Sequence, residues 1–170
     1  MRVNGGLSVR AIYLNQGNNV PVEKLALHPS ILKAIAESGY TTPTPVQMQA
    51  IPQALEGHDL MASAQTGTGK TAAFVLPSLH RLSTPSTKNS RGPRVLVLTP
   101  TRELANQVTA AAIKYGKHMR FRIGSVVGGM PYPPQMRLLS QPLDMLVATP
   151  GRLLDHMERG HVDYTHMGVL

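Results

Sequence analysis

Residues 64–71 read Ala64-Gln65-Thr66-Gly67-Thr68-Gly69-Lys70-Thr71, and this stretch decides the fold. A short apolar segment, 59–64, precedes it, and a segment with helical periodicity, 71–82, follows it. A glycine-rich turn between a strand and a helix directs backbone N–H groups and the positive end of a helix dipole toward one anion. The stretch therefore predicts a phosphate-binding loop in an α/β domain.

The residue types in this loop suit the phosphates of a nucleotide. Gly67 and Gly69 permit backbone angles that bring amide groups close to phosphate oxygens. Lys70 can reach the β and γ oxygens, and the hydroxyl of Thr71 can ligate Mg²⁺. The common form of the motif begins with glycine, where this chain has Ala64. An incidental glycine-rich turn is the alternative, but the strand before the loop and the helix after it favour phosphate binding.

Strands and helices alternate on both sides of the loop, which predicts an α/β domain with a mainly parallel sheet. Residues 83–93, rich in Ser, Thr, Pro and Lys, are expected to form a surface loop. Residues 167–170 resemble the start of a further strand, so we expect a truncated sequence, with a short edge strand as the alternative. The predicted helices are 29–38, 45–55, 71–82, 101–119, 135–140 and 151–159, and the other predicted strands are 94–99, 122–127 and 144–148.

Composition narrows the classes of function. The 170 residues, 42% of them hydrophobic, suffice for one domain, and the absence of cysteine excludes disulfides, thiolate catalysis and Cys-based zinc sites. No apolar run approaches the ~20 residues that a membrane span needs. The formal charge is +8, and residues 60–143 hold eleven Lys or Arg and one acid, Glu103. Such a field favours a polyanionic partner, although a solvated basic surface is the simpler alternative.

A glutamine upstream of the loop suggests which base is bound. Residues 39–47 read Gly39-Tyr40-Thr41-Thr42-Pro43-Thr44-Pro45-Val46-Gln47. The amide of Gln47 presents a donor beside an acceptor, which matches the N7 and 6-amino groups of adenine and mismatches guanine. A capping or solvent-facing glutamine at a helix start is the alternative.

Together with the loop, this segment resembles the Q motif of the DEAD-box RNA helicases. Residues 64–71 resemble that family's own variant of motif I, in which alanine replaces the first glycine. The resemblance continues through three further elements in the family's order. They are Pro100-Thr101-Arg102-Glu103-Leu104-Ala105-Asn106-Gln107, similar to motif Ia, Gly128-Gly129, similar to the GG element, and Thr149-Pro150-Gly151-Arg152, similar to motif Ib.

The resemblance implies a P-loop NTPase domain of the RecA-like, three-layer type, incomplete at its C-terminus. Residues 1–20 lie outside the resemblance and are expected to form a disordered tail because of their Gly and Asn content. The resemblance then gives a Q-motif region, 21–48, and part of the first RecA-like helicase domain, 49–170. It also implies that Tyr40, Thr42 and Gln47 recognise the adenine of ATP. Residues Ala64, Gln65, Thr66, Gly67, Thr68, Gly69, Lys70 and Thr71 would hold the triphosphate, with Lys70 and Thr71 as catalytic groups and Thr71 on Mg²⁺.

For RNA, the resemblance implies backbone contacts to a single strand. The implied contacts are Pro100, Thr101, Arg102, Glu103, Gly128, Gly129, Thr149, Pro150, Gly151 and Arg152. Physically, Thr101 and Thr149 lie at predicted helix starts, where N–H groups and hydroxyls suit phosphate oxygens, and an arginine follows each motif's threonine. Helix caps and solvated charge would explain the same residues singly. Contacts to the backbone carry little sequence information, so we expect sequence-independent binding.

The chain departs from the family pattern in three places. Val22 stands where an aromatic residue usually packs near adenine, which weakens base stacking, and His28 stands at a helix N-cap where serine is usual, as a weak cap. The sequence also has no Asp-Glu-Ala-Asp and no second domain. Since phosphoryl transfer relies on the metal ligands and on an arginine of that second domain, we expect adenine nucleotide binding without hydrolysis or unwinding.

Three alternatives stay open at this point. The first is a non-enzymatic module that binds ATP or RNA and regulates a partner protein. The second is a truncated gene product, and the third is a different P-loop enzyme, such as a kinase or GTPase. A cytoplasmic location is expected, with a mitochondrial one as the alternative because the first twenty residues hold Arg2 and Arg10 and no acid.

Overall fold

The computed structural model describes residues 9–12, 21, 24–62, 69–86, 92–162 and 168–169. The loop residues Ala64, Gln65, Thr66, Gly67 and Thr68, and also Val22, lie outside this described part. The chain divides into two units, residues 1–81 and 82–170, and each unit is described by itself.

The first unit contains a two-stranded parallel sheet. Strand β1 (Val9–Ile12) pairs with β2 (Asp59–Ala62), and Val9 lies opposite Asp59. The sequence predicted disorder for residues 1–20, whereas four of them, 9–12, are in this strand, and the rest of the tail lies outside the described residues. The pairing depends on backbone about fifty residues away, which no local pattern in the tail reveals.

Two helices of the first unit begin where the sequence predicted. Helix α1 (Pro29–Glu37) has His28 as its N-cap, whose Nδ1 accepts a hydrogen bond from the Ser30 N–H at 3.2 Å. Helix α2 (Pro45–Leu55) follows Thr44. Each helix has proline in its first turn, where a missing N–H costs no intrahelical bond. Their buried faces supply the apolar core of this unit, including Ile31, Ile35, Val46 and Ile51.

The second unit contains a four-stranded parallel sheet in the order β4-β5-β3-β6. Its strands are β3 (Val95–Leu98), β4 (Ile123–Val126), β5 (Met145–Ala148) and β6 (Gly168–Val169). Helix α3 (Lys70–Ser83) lies in the first unit except for its last two residues. The helices of the second unit are α4 (Arg102–Tyr115), α5 (Tyr132–Leu139) and α6 (Pro150–Glu158). Strand β5 is fully buried, and Leu153 of α6 packs into the cluster formed by Leu96, Val126, Leu146 and Ala148.

Two helix boundaries differ from the sequence prediction by three or more residues. Helix α4 was expected to continue to residue 119 but ends at Tyr115, because Gly116 forms its C-cap. Helix α5 was expected to begin at Gln135 but begins at Tyr132. Pro133 and Pro134 occupy its first turn, in which amide groups have no intrahelical acceptor, so these prolines start the helix instead of breaking it.

The fold class inferred from the sequence, α/β with a parallel sheet, is confirmed. In the part of the chain that the structure describes, no helix has the length and apolarity to span a membrane.

Candidate functional site

In the first unit, Gln47 links the start of α2 to the end of the glycine-rich loop. Its side chain is 2% exposed. Its Oε1 accepts hydrogen bonds from the Tyr40 hydroxyl and from the Thr44 N–H, the latter at 3.1 Å, and its Nε2 donates to the Gly69 carbonyl oxygen at 3.0 Å. Gln47 therefore caps helix α2, which was the alternative to adenine recognition in the sequence analysis. It also forms a hydrogen bond to Gly69 of the loop, which the sequence did not reveal.

Gly69 has no room for a side chain. Its φ is +83°, and a Cβ atom at this position would lie 2.3 Å from the Nε2 of Gln47. Its carbonyl oxygen also accepts a hydrogen bond from the Ala73 N–H at 3.1 Å, inside the first turn of α3. Gly69 therefore joins the loop, Gln47 and the beginning of α3 at one point.

Lys70 and Thr71 begin α3 directly after Gly69. Lys70 is exposed, Thr71 is half-buried, and the first turn of the helix contains no acidic residue. Free N–H groups, a cation and a hydroxyl at a helix N-terminus match the donors that a phosphate group requires. Thr42, which was also predicted to contact adenine, is exposed, while Tyr40 is half-buried against Gln47.

The fit for Mg²⁺ depends on Thr71 and the nucleotide. Among the residues that the structure describes, no group of three or more His, Cys, Asp or Glu side chains is arranged to hold a metal ion. Mg²⁺ commonly keeps several waters and is held by one or two protein oxygens together with substrate phosphates. Thr71 suits that role, because its hydroxyl could ligate a Mg²⁺ ion that is also bound by the phosphates of the nucleotide.

In the second unit, three of the motif segments follow three strands that end in register. Leu98 of β3 and Val126 of β4 each pair with Ala148 of β5, and all three strands are parallel. The segments after these strands therefore lie at one edge of the sheet. Pro100, Thr101, Arg102, Glu103, Gly128, Gly129, Pro150 and Gly151 are exposed there, and Thr149 and Arg152 are half-buried.

The two threonines at this edge have different roles. Thr101 caps α4, because its Oγ1 accepts a hydrogen bond from the Leu104 N–H at 3.2 Å. Thr149 precedes α6 but makes no such cap, and its Oγ1 instead accepts from the Gly128 N–H at 3.1 Å. Thr149 therefore ties the glycine pair to the start of α6.

The two arginines differ as well. Arg102 is exposed, and its Nη1 lies 3.6 Å from the position that a Cβ of Gly129 would take. The Nη1 of Arg152 donates to the Met130 carbonyl at 2.6 Å and to the Oε1 of Gln135 at 3.0 Å. Its guanidinium also lies 4.2 Å above the ring centre of Tyr132. Arg102 is the more available to an anion from solvent.

Behind this edge lies a buried polar group that the sequence analysis missed. Gln135 is 6% exposed and His156 is 0% exposed. The Nε2 of His156 and the Oε1 of Gln135 are 2.9 Å apart, and the Nδ1 atoms of His156 and His161 are 3.0 Å apart. One signal was present in the sequence, since His156 lies four residues after Arg152 and three after Leu153, on the inward face of a helix.

Several pKa shifts accompany this group. Burial lowers the pKa of His156 below its ordinary value of 6.5, and the neighbouring charges of His161 and Arg152 lower it further. The hydrogen bond from Tyr132 to Asp155 lowers the pKa of Asp155 and raises the pKa of Tyr132. At neutral pH, His156 is therefore an uncharged imidazole and Asp155 a carboxylate.

Known proteins resemble this chain over most of its length. The model of the DEAD/DEAH box helicase family matches residues 44–170. The chain is 45% identical over 147 residues to the ATP-dependent RNA helicase DeaD of Klebsiella pneumoniae, a match covering 86% of this chain and 22% of that protein. It is 45% identical over 138 residues to the DEAD-box ATP-dependent RNA helicase RhpA of Helicobacter pylori strain B128, covering 81% and 27%. With the ATP-dependent RNA helicase SrmB of Escherichia coli K12, identity is 45% over 140 residues, covering 82% and 32%.

Proposed function

The chain belongs to the DEAD/DEAH box helicase family, and from this premise we propose that it binds ATP through its first unit and the backbone of single-stranded RNA through its second. The observation that carries the proposal is that β3, β4 and β5 end in register. Three family motifs therefore follow them along one edge of a parallel sheet, with most of their residues exposed. The matched region makes up 22–32% of the three relatives, so the activity of a whole helicase is part of the proposal.

For ATP, we propose that Gln47 reads adenine and that the loop and the start of α3 hold the phosphates. Adenine offers a donor and an acceptor side by side, which a glutamine amide matches. Because the Oε1 of Gln47 already accepts from Tyr40 and Thr44, adenine binding displaces one of these two donors. Lys70 supplies the charge for the terminal phosphates, and Thr71 supplies the hydroxyl for Mg²⁺. The metal, when bound, neutralises phosphate charge.

For RNA, we propose that the exposed edge of the second unit contacts sugars and phosphates. The exposed residues Gly129 and Gly151 and the guanidinium of Arg102 offer donors at the surface, next to Gly128, whose N–H already donates to Thr149. The excess of basic over acidic residues between 60 and 143 adds long-range attraction for the strand. Donors of this kind recognise the backbone and not the base, so binding has little sequence preference.

We further propose that these 170 residues bind ATP without turning it over. The sequence contains no Asp-Glu-Ala-Asp, whose carboxylates hold the metal and help activate the attacking water in the family. Positioning and metal charge supply nearly all of the catalysis of phosphoryl transfer. RNA-stimulated phosphate release by the purified chain would overturn this part of the proposal.

The test measures both ligands on the full chain. A fluorescent ATP analogue is titrated into the wild type, Lys70→Ala and the control Lys33→Ala, whose lysine is exposed on α1. We expect Lys70→Ala to weaken binding at least tenfold, Lys33→Ala to leave it unchanged, and ATP to compete far better than GTP. Equal competition by GTP contradicts adenine recognition by Gln47.

RNA binding is measured by anisotropy with a labelled single-stranded uridine oligonucleotide at several salt concentrations. Arg102→Ala removes one phosphate contact, so the slope of log affinity against log salt should fall by about 0.7. Arg137→Ala, which changes an exposed arginine in the last turn of α5, is the matched control and should leave the slope closer to that of the wild type. Equal effects of both substitutions would mean that general charge, and not this edge, binds RNA.

A further inference from the structure

We propose that Gln135 and His156 are positioning residues, which hold the turn at residues 127–130 against the start of α6 so that the backbone donors of both segments face RNA together. This inference rests on the proposed RNA function of that edge. Neither side chain is exposed enough to touch RNA itself, since Gln135 is 6% and His156 is 0% exposed.

Gln135 forms the centre of the arrangement. Its Nε2 donates to the Val127 carbonyl at 2.9 Å, so its Oε1 is the acceptor end of the amide. That oxygen accepts a hydrogen bond from the Nη1 of Arg152 at 3.0 Å and lies 2.9 Å from the Nε2 of His156. An acceptor in this position requires the proton of His156 to be on Nε2.

The position of that proton fixes the next bond in the chain. With Nε2 protonated, neutral His156 accepts at Nδ1, so the Nδ1 of His161 must be the donor across their 3.0 Å separation. The low pKa of His156 is consistent with the neutral form. A continuous series of hydrogen bonds thus runs from His161, beyond the end of α6, through His156 to Gln135.

The series ends on the backbone of the turn that carries the glycine pair. Gln135 binds the carbonyl of Val127 on one side of Gly128-Gly129, and Arg152 binds the carbonyl of Met130 on the other. Between them, the Gly128 N–H donates to Thr149. Bonds to Gln135, Thr149 and Arg152 therefore fix a turn whose residues 128–130 are exposed. Fixing donors before the ligand arrives avoids an ordering cost on binding.

A purely structural role for the buried group predicts a different outcome. If Gln135 and His156 served only to pack α6 against the sheet, removing their side chains would speed amide exchange in α6 at least as much as in the turn. If they position the turn, removing them speeds exchange mainly at the amides of residues 128–130. The exchange rates of amide hydrogens in the two segments therefore distinguish the roles.

The experiment uses the full chain with Gln135→Met, which removes both ends of the amide. We expect the Gly128 amide to exchange about tenfold faster, the amides of α6 at Leu154 and Asp155 to be unchanged, and affinity for the labelled uridine oligonucleotide to fall about fivefold, in line with the loss of one or two hydrogen bonds. Binding of the ATP analogue should not change. If Gln135→Met does not fold, Gln135→Glu keeps an acceptor for Arg152, replaces the donor to Val127 with an oxygen, and adds a negative charge beside Arg152.

Two substitutions of His156 distinguish the effect of its hydrogen bond from the effect of its side-chain volume. His156→Gln retains an Nε2 donor toward Gln135 and should stay within about twofold of the wild type in RNA affinity, whereas His156→Leu should match Gln135→Met. Unchanged exchange at Gly128, or equal acceleration in the turn and α6, overturns the inference. If the wild-type chain binds no oligonucleotide, the proposed RNA function fails, and the exchange rates alone decide whether the two residues hold the turn.

Discussion

The proposed nucleotide site of the first unit and the proposed RNA edge of the second use polar side chains in opposite ways. In the first unit, the side chain assigned to ligand recognition, Gln47, is 2% exposed and bonded to its own chain. In the second, Arg102 and the glycines at 128, 129 and 151 are exposed, and the polar side chains of Gln135 and His156 are buried. A ligand of the first site must replace bonds that already exist, whereas a ligand of the second meets donors already in position. Four predictions test this difference.

The largest effect is expected at Gly69. A left-handed φ costs an L-residue about 1–2 kcal/mol, and the new Cβ of Gly69→Ala would displace the buried Gln47 amide from its hydrogen bonds at a further ~1–3 kcal/mol. We expect a loss of about 3 kcal/mol in the free energy of unfolding, measured with urea, and no detectable binding of the ATP analogue.

Gly57→Ala is the matched control for that substitution. Gly57 has nearly the same φ, +84°, and nothing lies within 4 Å of its would-be Cβ. It should lose only the conformational part, about 1 kcal/mol, and keep nucleotide binding. Equal losses in the two variants would show that the contact between Gly69 and Gln47 contributes nothing.

The next effect is expected at Gln47. Gln47→Ala leaves the half-buried Thr44 N–H and Gly69 carbonyl without this partner and should cost about 2 kcal/mol of stability, together with the preference for ATP over GTP. Tyr40→Phe removes one donor to the same amide and should cost about 1 kcal/mol. Because both changes act on one network, the double variant should cost less than the sum. Strict additivity in urea unfolding contradicts a shared network.

A smaller effect is expected at Thr149. Thr149→Val removes the oxygen that accepts from the Gly128 N–H, and RNA affinity should fall about fivefold, or ~1 kcal/mol. Thr109→Val is the control, since the Thr109 hydroxyl bonds to the Ala105 carbonyl within α4. If both variants bind the uridine oligonucleotide equally, preformed donors at this edge do not determine affinity.

The smallest effect is a pH dependence from His156. Its folded pKa lies below 6.5, so between that folded pKa and about pH 6.5 the unfolded chain binds more protons. The stability it contributes is present above pH 6.5 and is lost as pH falls through the folded pKa. The titratable and charged groups around it are His161, Arg152, Asp155 and Arg159.

Urea midpoints of the wild type and His156→Gln measure this contribution. The wild type should lose more stability than the variant between about pH 7.5 and about pH 5.5. His80, whose pKa is lowered by burial and by His28, acts in the same direction in both proteins and therefore cancels. A larger loss in the variant contradicts the assignment of a buried, neutral His156.

The sequence was most informative where a local pattern determines the structure. Proline in the first turn located the starts of α1 and α2, and the three motif segments lie after β3, β4 and β5 as the alternation of elements required. It was least informative where bonds join distant residues. The pairing of β1 with β2, and the bonds from Gln135 to Val127 and to Arg152, depend on the folded arrangement and leave no periodic signal. The assignment of individual ligand contacts stays a prediction.

The strand order of the second sheet rearranges the motifs in space. Along the chain, residues 100–103 come first, 128–129 next and 149–152 last, but the sheet order β4-β5-β3 puts the last segment between the other two. A nucleic acid strand that lies across this edge meets 128–129, then 149–152, then 100–103, or the reverse. The order of crosslinks from successive nucleotides would therefore reveal the direction in which the strand runs, and the segment nearest the C-terminus would always be the middle crosslink.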